Sequence, residues 1–163
     1  MEIIGEFSTS VRRALEEMDE DYRRLPGLVV CGTHAPENVE EQIEKIRQAR
    51  EGGYPYLGVC FGHQLAAIEY ARNVLGVKDA TSEEVGEGTL IVKRRPTLKV
   101  GLHEGESWWS NYEVDPLFER NWEKPDNFVT TPFHPEYESR KGKPHPVLVQ
   151  FLKLCKAYKI YAN

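Results

Sequence analysis

Cysteine is scarce in this chain, with Cys31, Cys60 and Cys155 the only three among 163 residues. An odd number without a secretory context argues against a disulfide framework and predicts reduced thiols. Basic runs are equally scarce, the longest being Lys93-Arg94-Arg95, and 26 acidic against 21 basic residues leave a formal net charge of −5. That balance argues against a nucleic-acid surface. No stretch approaches the roughly 18 apolar residues of a membrane span, and Met1-Glu2-Ile3-Ile4-Gly5 lacks a basic leader with a long apolar core. The expectation is a cytoplasmic protein with no membrane or nucleic-acid partner. Repeats, low-complexity tracts and linkers are absent too, which predicts a single domain over 1–163. A chain near this length buries roughly 68–70% of its unfolded surface, enough for a full core.

What is present begins at Pro55-Tyr56-Leu57-Gly58-Val59, a short apolar run that reads as a buried strand. It ends on Cys60, bracketed by Gly58 and Gly62, and a long apolar-periodic segment follows. Strand, sharp turn and helix in that order place a side chain at a strained elbow, beside a helix N-terminus whose free N–H groups favour an anion. Gly-x-Cys-x-Gly therefore reads as a nucleophile, against the alternative of a small buried hydrophobe. Upstream, Glu2–Ile4 suits a strand. Ser8–Ser10 offer caps to a helix with Val11, Leu15, Met18 and Tyr22 on one stripe. Leu28-Val29-Val30-Cys31 reads as a central parallel strand, and a helix beginning near Pro36 carries Val39, Ile43, Ile46 and Arg50 on one face. Alternating strands and helices predict an α/β class with a mostly parallel sheet.

Beyond Lys78 the pattern shifts to short β-prone pieces, Thr89–Lys93, Leu98–Leu102 and Asn111–Val114, read as a small antiparallel excursion. Phe128–Thr131 is a further strand. From Phe133-His134-Pro135-Glu136 onward, prolines argue against helix until about His145. Pro146 then opens a last helix that buries Val147, Leu148, Phe151, Leu152, Cys155 and Tyr158.

A thiol nucleophile needs a base and something to orient it. Of five histidines, only His134 has a carboxylate two residues on, and in an extended segment such residues point the same way, so Glu136 can accept from the imidazole. The competing reading is a solvated pair on a surface turn. Cys31, His34, Cys60 and His63 also form two Cys-x-x-His pairs of the kind zinc uses, but nothing in the spacing closes them into one site.

Tyr-Leu-Gly-Val-Cys-Phe-Gly-His-Gln (56–64) together with Phe-His-Pro-Glu (133–136) resembles the class I (triad) glutamine amidotransferases. The stretches 65–84 and 133–140 look more narrowly like the glutaminase domain of CTP synthase. The resemblance implies a flavodoxin-like three-layer α/β sandwich and release of ammonia from glutamine without a cofactor. Carried over by position, Cys60 is the nucleophile, His134 its base and later acid, and Glu136 the orienting carboxylate. Gly32 and Phe61 would supply oxyanion-binding N–H groups, Gln64 would lie in the substrate pocket, and Glu84 would bind the α-amino group. No metal is implied.

The chain departs from that family in several places. Its oxyanion loop, normally Pro-Gly-Gly-Phe-Gly, here reads Cys31-Gly32-Thr33-His34-Ala35, and Thr33 restricts positive φ. The arginine that pairs with the glutamine α-carboxylate, just before Tyr112-Glu113-Val114, corresponds to Asn111. The segment 104–109, Glu-Gly-Glu-Ser-Trp-Trp, is unlike the family and reads as a loop forming a new pocket wall. No Gly-x-x-x-x-Gly-Lys-Ser/Thr occurs, so the chain alone should not phosphorylate UTP. Three readings follow: a glutaminase supplying ammonia to a separate synthetase, as for CTP synthesis; a hydrolase of another γ-glutamyl or small amide; or a degenerate regulatory subunit without catalysis.

Overall fold

The computed structural model describes residues 1–162. In chain order, β1 (Glu2–Ile4), α1 (Ser8–Met18), β2 (Leu28–Val30), α2 (Val39–Glu51), β3 (Tyr56–Val59) and α3 (Phe61–Asn73) alternate. Then come β4 (Ala80–Ser82), β5 (Thr89–His103), β6 (Glu106–Val114), α4 (Pro116–Asn121), β7 (Phe128–Thr131), α5 (Pro135–Glu138) and α6 (Pro146–Tyr161). A four-stranded sheet of order β1-β2-β3-β7 is parallel throughout, with Leu28 opposite both Glu2 and Tyr56, and Phe128 opposite Tyr56.

Pleat alternation divides the core between two faces. Leu28, Val30, Tyr56 and Phe128 pack with Ile43, Ile46 and Ala49 of α2 and with Leu65, Ala66 and Ile68 of α3. Val29, Leu57, Val59 and Val129 pack with Val11, Ala14 and Leu15 of α1 and with Leu148, Phe151, Leu152 and Cys155 of α6. Helices on both faces of a parallel sheet make the three-layer α/β sandwich, and each buried Val, Leu, Ile or Phe among these side chains stabilises it by roughly 1.5–3 kcal/mol. Cys155 is core, as its helical position indicates. Among the described residues, no helix is long and apolar enough to cross a membrane.

The second sheet has order β4-β5-β6, with β5 and β6 antiparallel and β4 parallel to β5. Two of the expected pieces, Thr89–Lys93 and Leu98–Leu102, are one strand interrupted by a register shift between Arg94 and Lys99. The expected loop 104–109 is largely strand. Glu104 and Gly105 alone form the turn, both at positive φ (51° and 81°), and Glu106–Trp109 belong to β6. A two-residue loop of that kind matches the strand twist.

Other boundaries moved as well. The first helix starts at Ser8 with Phe7 at its cap and no side-chain cap bond, and it ends at Met18. Tyr22 sits on a separate 3-10 turn (Tyr22–Arg24), yet is fully buried. The second helix starts at Val39 behind a left-handed Asn38, not at Pro36. Finally, proline does not forbid helix after Phe133: Pro135 opens α5, because a first-turn residue needs no N–H partner.

Candidate active site

Three chain segments leave the carboxyl edge of the parallel sheet side by side: 31–34 after β2, Cys60 after β3 and 132–134 after β7. Open α/β sheets build their sites there. The backbone of Cys60 has φ 54° and ψ −100°, a conformation rarely adopted by non-glycine residues and costing on the order of 1–3 kcal/mol. Its N–H donates to the Thr131 carbonyl at 2.9 Å, which ties the elbow to β7. Gly62 is sterically required: a Cβ there would lie 2.1 Å from the Val30 carbonyl oxygen. Tyr56, wholly buried, donates its hydroxyl to the Gly62 carbonyl at 2.7 Å and braces the turn from below. The strain at Cys60 thus persists because packing on two sides over-determines it.

His134 caps α5 and Glu136 lies in its first turn, both buried. Nδ1 of His134 and Oε1 of Glu136 are 2.7 Å apart, which makes Nδ1–H the donor when the carboxyl is ionised. The sequence argument paired these residues through an extended backbone. They meet instead across a helix start, with the His134 N–H donating to the Ser107 carbonyl at 2.8 Å and Arg13 donating to the Glu136 carbonyl at 2.8 Å. Tyr137 stacks on the imidazole with ring centroids 5.2 Å apart. Burial disfavours the imidazolium, but hydrogen bonding and charge from Cys60 and Glu136 outweigh it and raise His134 to about 10. Cys60 Sγ itself lies 3.6 Å from the Trp109 carbonyl, its recorded hydrogen-bond acceptor. Gly32 separates the two groups closely: a Cβ on it would sit 3.1 Å from His134 Cε1 and 3.7 Å from Cys60 Cβ.

These groups open into a cavity of about 740 Å³. Gly32, Cys60, Phe61, Gln64, Glu84 and His134 all line it, and Glu136 supports it from behind His134. Phe61 begins α3, so its N–H is one of the unpaired first-turn donors. Gln64 Nε2 donates to the Tyr112 carbonyl at 3.5 Å, and its buried Oε1 has no partner among the described residues. Burial raises the Glu84 carboxyl, while the charge of Arg94 opposes the rise.

The loop after β2 is pinned in its own way. Glu6 accepts from the His34 N–H at 2.9 Å and from Thr33 Oγ1 at 3.1 Å, and Thr33 Oγ1 in turn accepts from the Ala35 N–H at 3.0 Å. Those bonds, the His34 N–H first, hold the Glu6 carboxyl below its ordinary value. Neither Thr33 nor His34 adopts positive φ, and the His34 ring stands edge-on to Phe7 and Trp109 at 4.8 and 5.7 Å.

Several residues escaped sequence reasoning. Arg94 and Tyr112 line the cavity because the β5–β6 hairpin folds over it, an outcome set by strand register and not by a motif, and Ser107 and Trp109, in the segment expected to form a pocket wall, line it beside them. Tyr137 and Glu138 line it from α5. Phe7 joins from the β1–α1 turn. The four residues of the zinc alternative do not converge. Cys31 is buried in the α1–α6 core, and His63 bonds to Thr130 and Glu119 at 3.0 and 2.9 Å. Among the described residues, no three His, Cys, Asp or Glu side chains are grouped to hold a metal ion.

Residues 6–123 match the family model described as glutamine amidotransferase class-I. CTP synthase of Methanoculleus marisnigri is 33% identical over 187 residues, covering 85% of this chain and 35% of that protein. The enzyme of Methanopyrus kandleri is 34% identical, covering 82% and 35%. The chain thus spans about a third of the length of the curated relatives it matches. The solved glutaminase domain of Trypanosoma brucei CTPS with bound acivicin superposes with a TM-score of 0.73 at 21% identity, covering 95% of this chain and 92% of that one.

Proposed function

The chain belongs to the class I glutamine amidotransferases, and we propose that within this family it is a glutaminase that hydrolyses glutamine through Cys60, His134 and Glu136. The observation that carries the reading is the cysteine at positive φ opening onto the same cavity as a buried histidine whose Nδ1 is 2.7 Å from a glutamate. Cys60 attacks the γ-carboxamide carbon as the thiolate, the reactive form of a thiol. The Phe61 and Gly32 N–H groups stabilise the oxyanion, and each such donor is typically worth about 10²–10³ in rate. His134, cationic up to about pH 10, gives its proton to the departing nitrogen as the C–N bond breaks and ammonia leaves. Water then attacks the γ-glutamyl thioester as His134 takes its proton, the C–S bond breaks, glutamate leaves, and the Cys60 thiolate and the His134 imidazolium are regenerated. Glu136 holds the imidazole in the required tautomer throughout.

Because the matched relatives are called CTP synthase, the ammonia acceptor in this reading is a CTP-forming synthetase. Glutamate release from glutamine near neutral pH, wild type beside Cys60→Ala, tests the proposal. Turnover that depends on Cys60 supports it, and equal turnover in both proteins overturns it. A second reading, another γ-glutamyl amide as substrate, is favoured by the aromatic wall of Phe7, His34 and Trp109 beside the thiol. Hydrolysis of an N-substituted γ-glutamyl amide in preference to glutamine would select it.

A further inference from the structure

The reading of a glutamine-like substrate raises a charge problem. An α-amino acid brings an ammonium and a carboxylate into the cavity together, and position 111, just before Tyr112-Glu113-Val114, is a neutral asparagine. Among the described residues, Arg94 is the only lysine or arginine that lines the cavity. We infer that Arg94, on the strand beside Asn111, is the α-carboxylate-binding residue of this site and makes it selective for free α-amino acids.

The placement follows from register. Arg94 on β5 pairs with Tyr112 on β6, so it stands across the ladder from the residue that adjoins Asn111. Its Nη2 donates to the Tyr112 hydroxyl at 2.8 Å, and the guanidinium lies 5.1 Å from the centre of that ring. Its backbone N–H donates to Glu83 Oε2 at 2.7 Å, which fixes the strand next to Glu84. Four of the five guanidinium N–H donors remain, enough for the two-donor fork that binds a planar carboxylate, the geometry in which arginine excels. The neighbouring cations are committed elsewhere. Arg95 pairs with Glu113 at 2.8 Å, Lys93 with Asp115 at 3.1 Å, and Lys99 stands over the Trp108 ring at 3.6 Å. The ammonium of the ligand meets its counterpart in Glu84, which Arg94 already influences through charge, and the buried unpaired Oε1 of Gln64 is a further acceptor in the same cavity. Glu84 and Arg94 together thus recognise a zwitterion, with the scissile amide directed at Cys60.

The inference rests on the glutaminase reading but can fail apart from it. Binding of L-glutamine and of 4-aminobutanamide, which lacks the carboxylate, is measured calorimetrically on Cys60→Ala protein with and without Arg94→Met. Circular dichroism and thermal melts verify that the exposed substitution leaves the fold intact. The expected result is L-glutamine binding about 10–100-fold weaker in the Arg94→Met background, partly restored by Arg94→Lys, with 4-aminobutanamide binding changed less than threefold. Equal loss for both ligands, unchanged glutamine binding, or no glutamine binding to the Arg94-containing protein overturns the inference. Arg94-dependent binding without Cys60-dependent turnover in the wild type upholds it and overturns the glutaminase reading.

Discussion

The floor and the roof of the cavity are built on opposite principles. The floor, where β3 turns into α3 and β7 into α5, is closed by contacts that admit no extra atom: Gly62 under the Val30 carbonyl, Tyr56 on Gly62, and Glu136 behind His134. The roof is a two-stranded hairpin with Leu102 and Trp109 at 66% and 47% exposure, held by cross-strand pairs and by single bonds such as Ser107 to Glu138. A strained nucleophile persists only where surrounding packing over-determines it, whereas a recognition surface can sit on an element that tolerates substitution. In the proposed reading, chemistry belongs to the floor and selectivity to the roof.

Glu136→Gln attacks the floor without changing its shape. We expect kcat for glutamine to fall about 10²–10⁴-fold with KM little changed, because the imidazole loses its charged partner and its tautomer is no longer fixed. Steady-state glutamate release measures it, and a pure KM effect would contradict the assignment. Gly62→Ala introduces the Cβ that meets Val30, and destabilisation near or above the 1–3 kcal/mol usual for overpacking, about 3 kcal/mol, is expected from urea unfolding.

The third prediction uses proton linkage at the floor. The folded-state pKa of His134, about 10, lies above its unfolded value near 6.5. Its contribution is therefore fully present below about pH 6.5 and is lost as pH rises through about 10. Denaturation midpoints of wild type should fall across that window more steeply than those of Glu136→Gln, and parallel curves would refute the coupling. The smallest effect belongs to the roof: Leu102→Ser should alter stability by no more than about 0.5 kcal/mol. A larger loss would mean that the hairpin is as tightly determined as the floor.

How much of this was legible beforehand follows the same division. Tyr56 to Gln64 announces the elbow because a cysteine between two glycines after an apolar run leaves few conformations open. His134 and Glu136 were paired correctly for the wrong reason, since proline at a first helical turn and proline in an extended segment look alike in one dimension. The hairpin was read as separate pieces with a loop between them, because its bulge at Arg94–Lys99 and its Glu104-Gly105 turn interrupt the alternation that marks a strand. Arg94 was invisible as a site residue, because its relation to Tyr112 exists only once a register is chosen.

Local covalent constraint, in the form of glycine spacing, apolar runs and a cysteine at a strand end, determined from the sequence alone that this is a parallel α/β chain with a sharp strand-to-helix elbow at Cys60. Those features act within a few residues and need no partner. The tertiary structure decided which aromatic and charged side chains of β5 and β6 close over the thiol, because cross-strand register depends on contacts between segments far apart in the chain. It also decided that Arg94 faces the same cavity as Asn111. Each of those placements is a property of two strands at once, and neither strand carries it by itself.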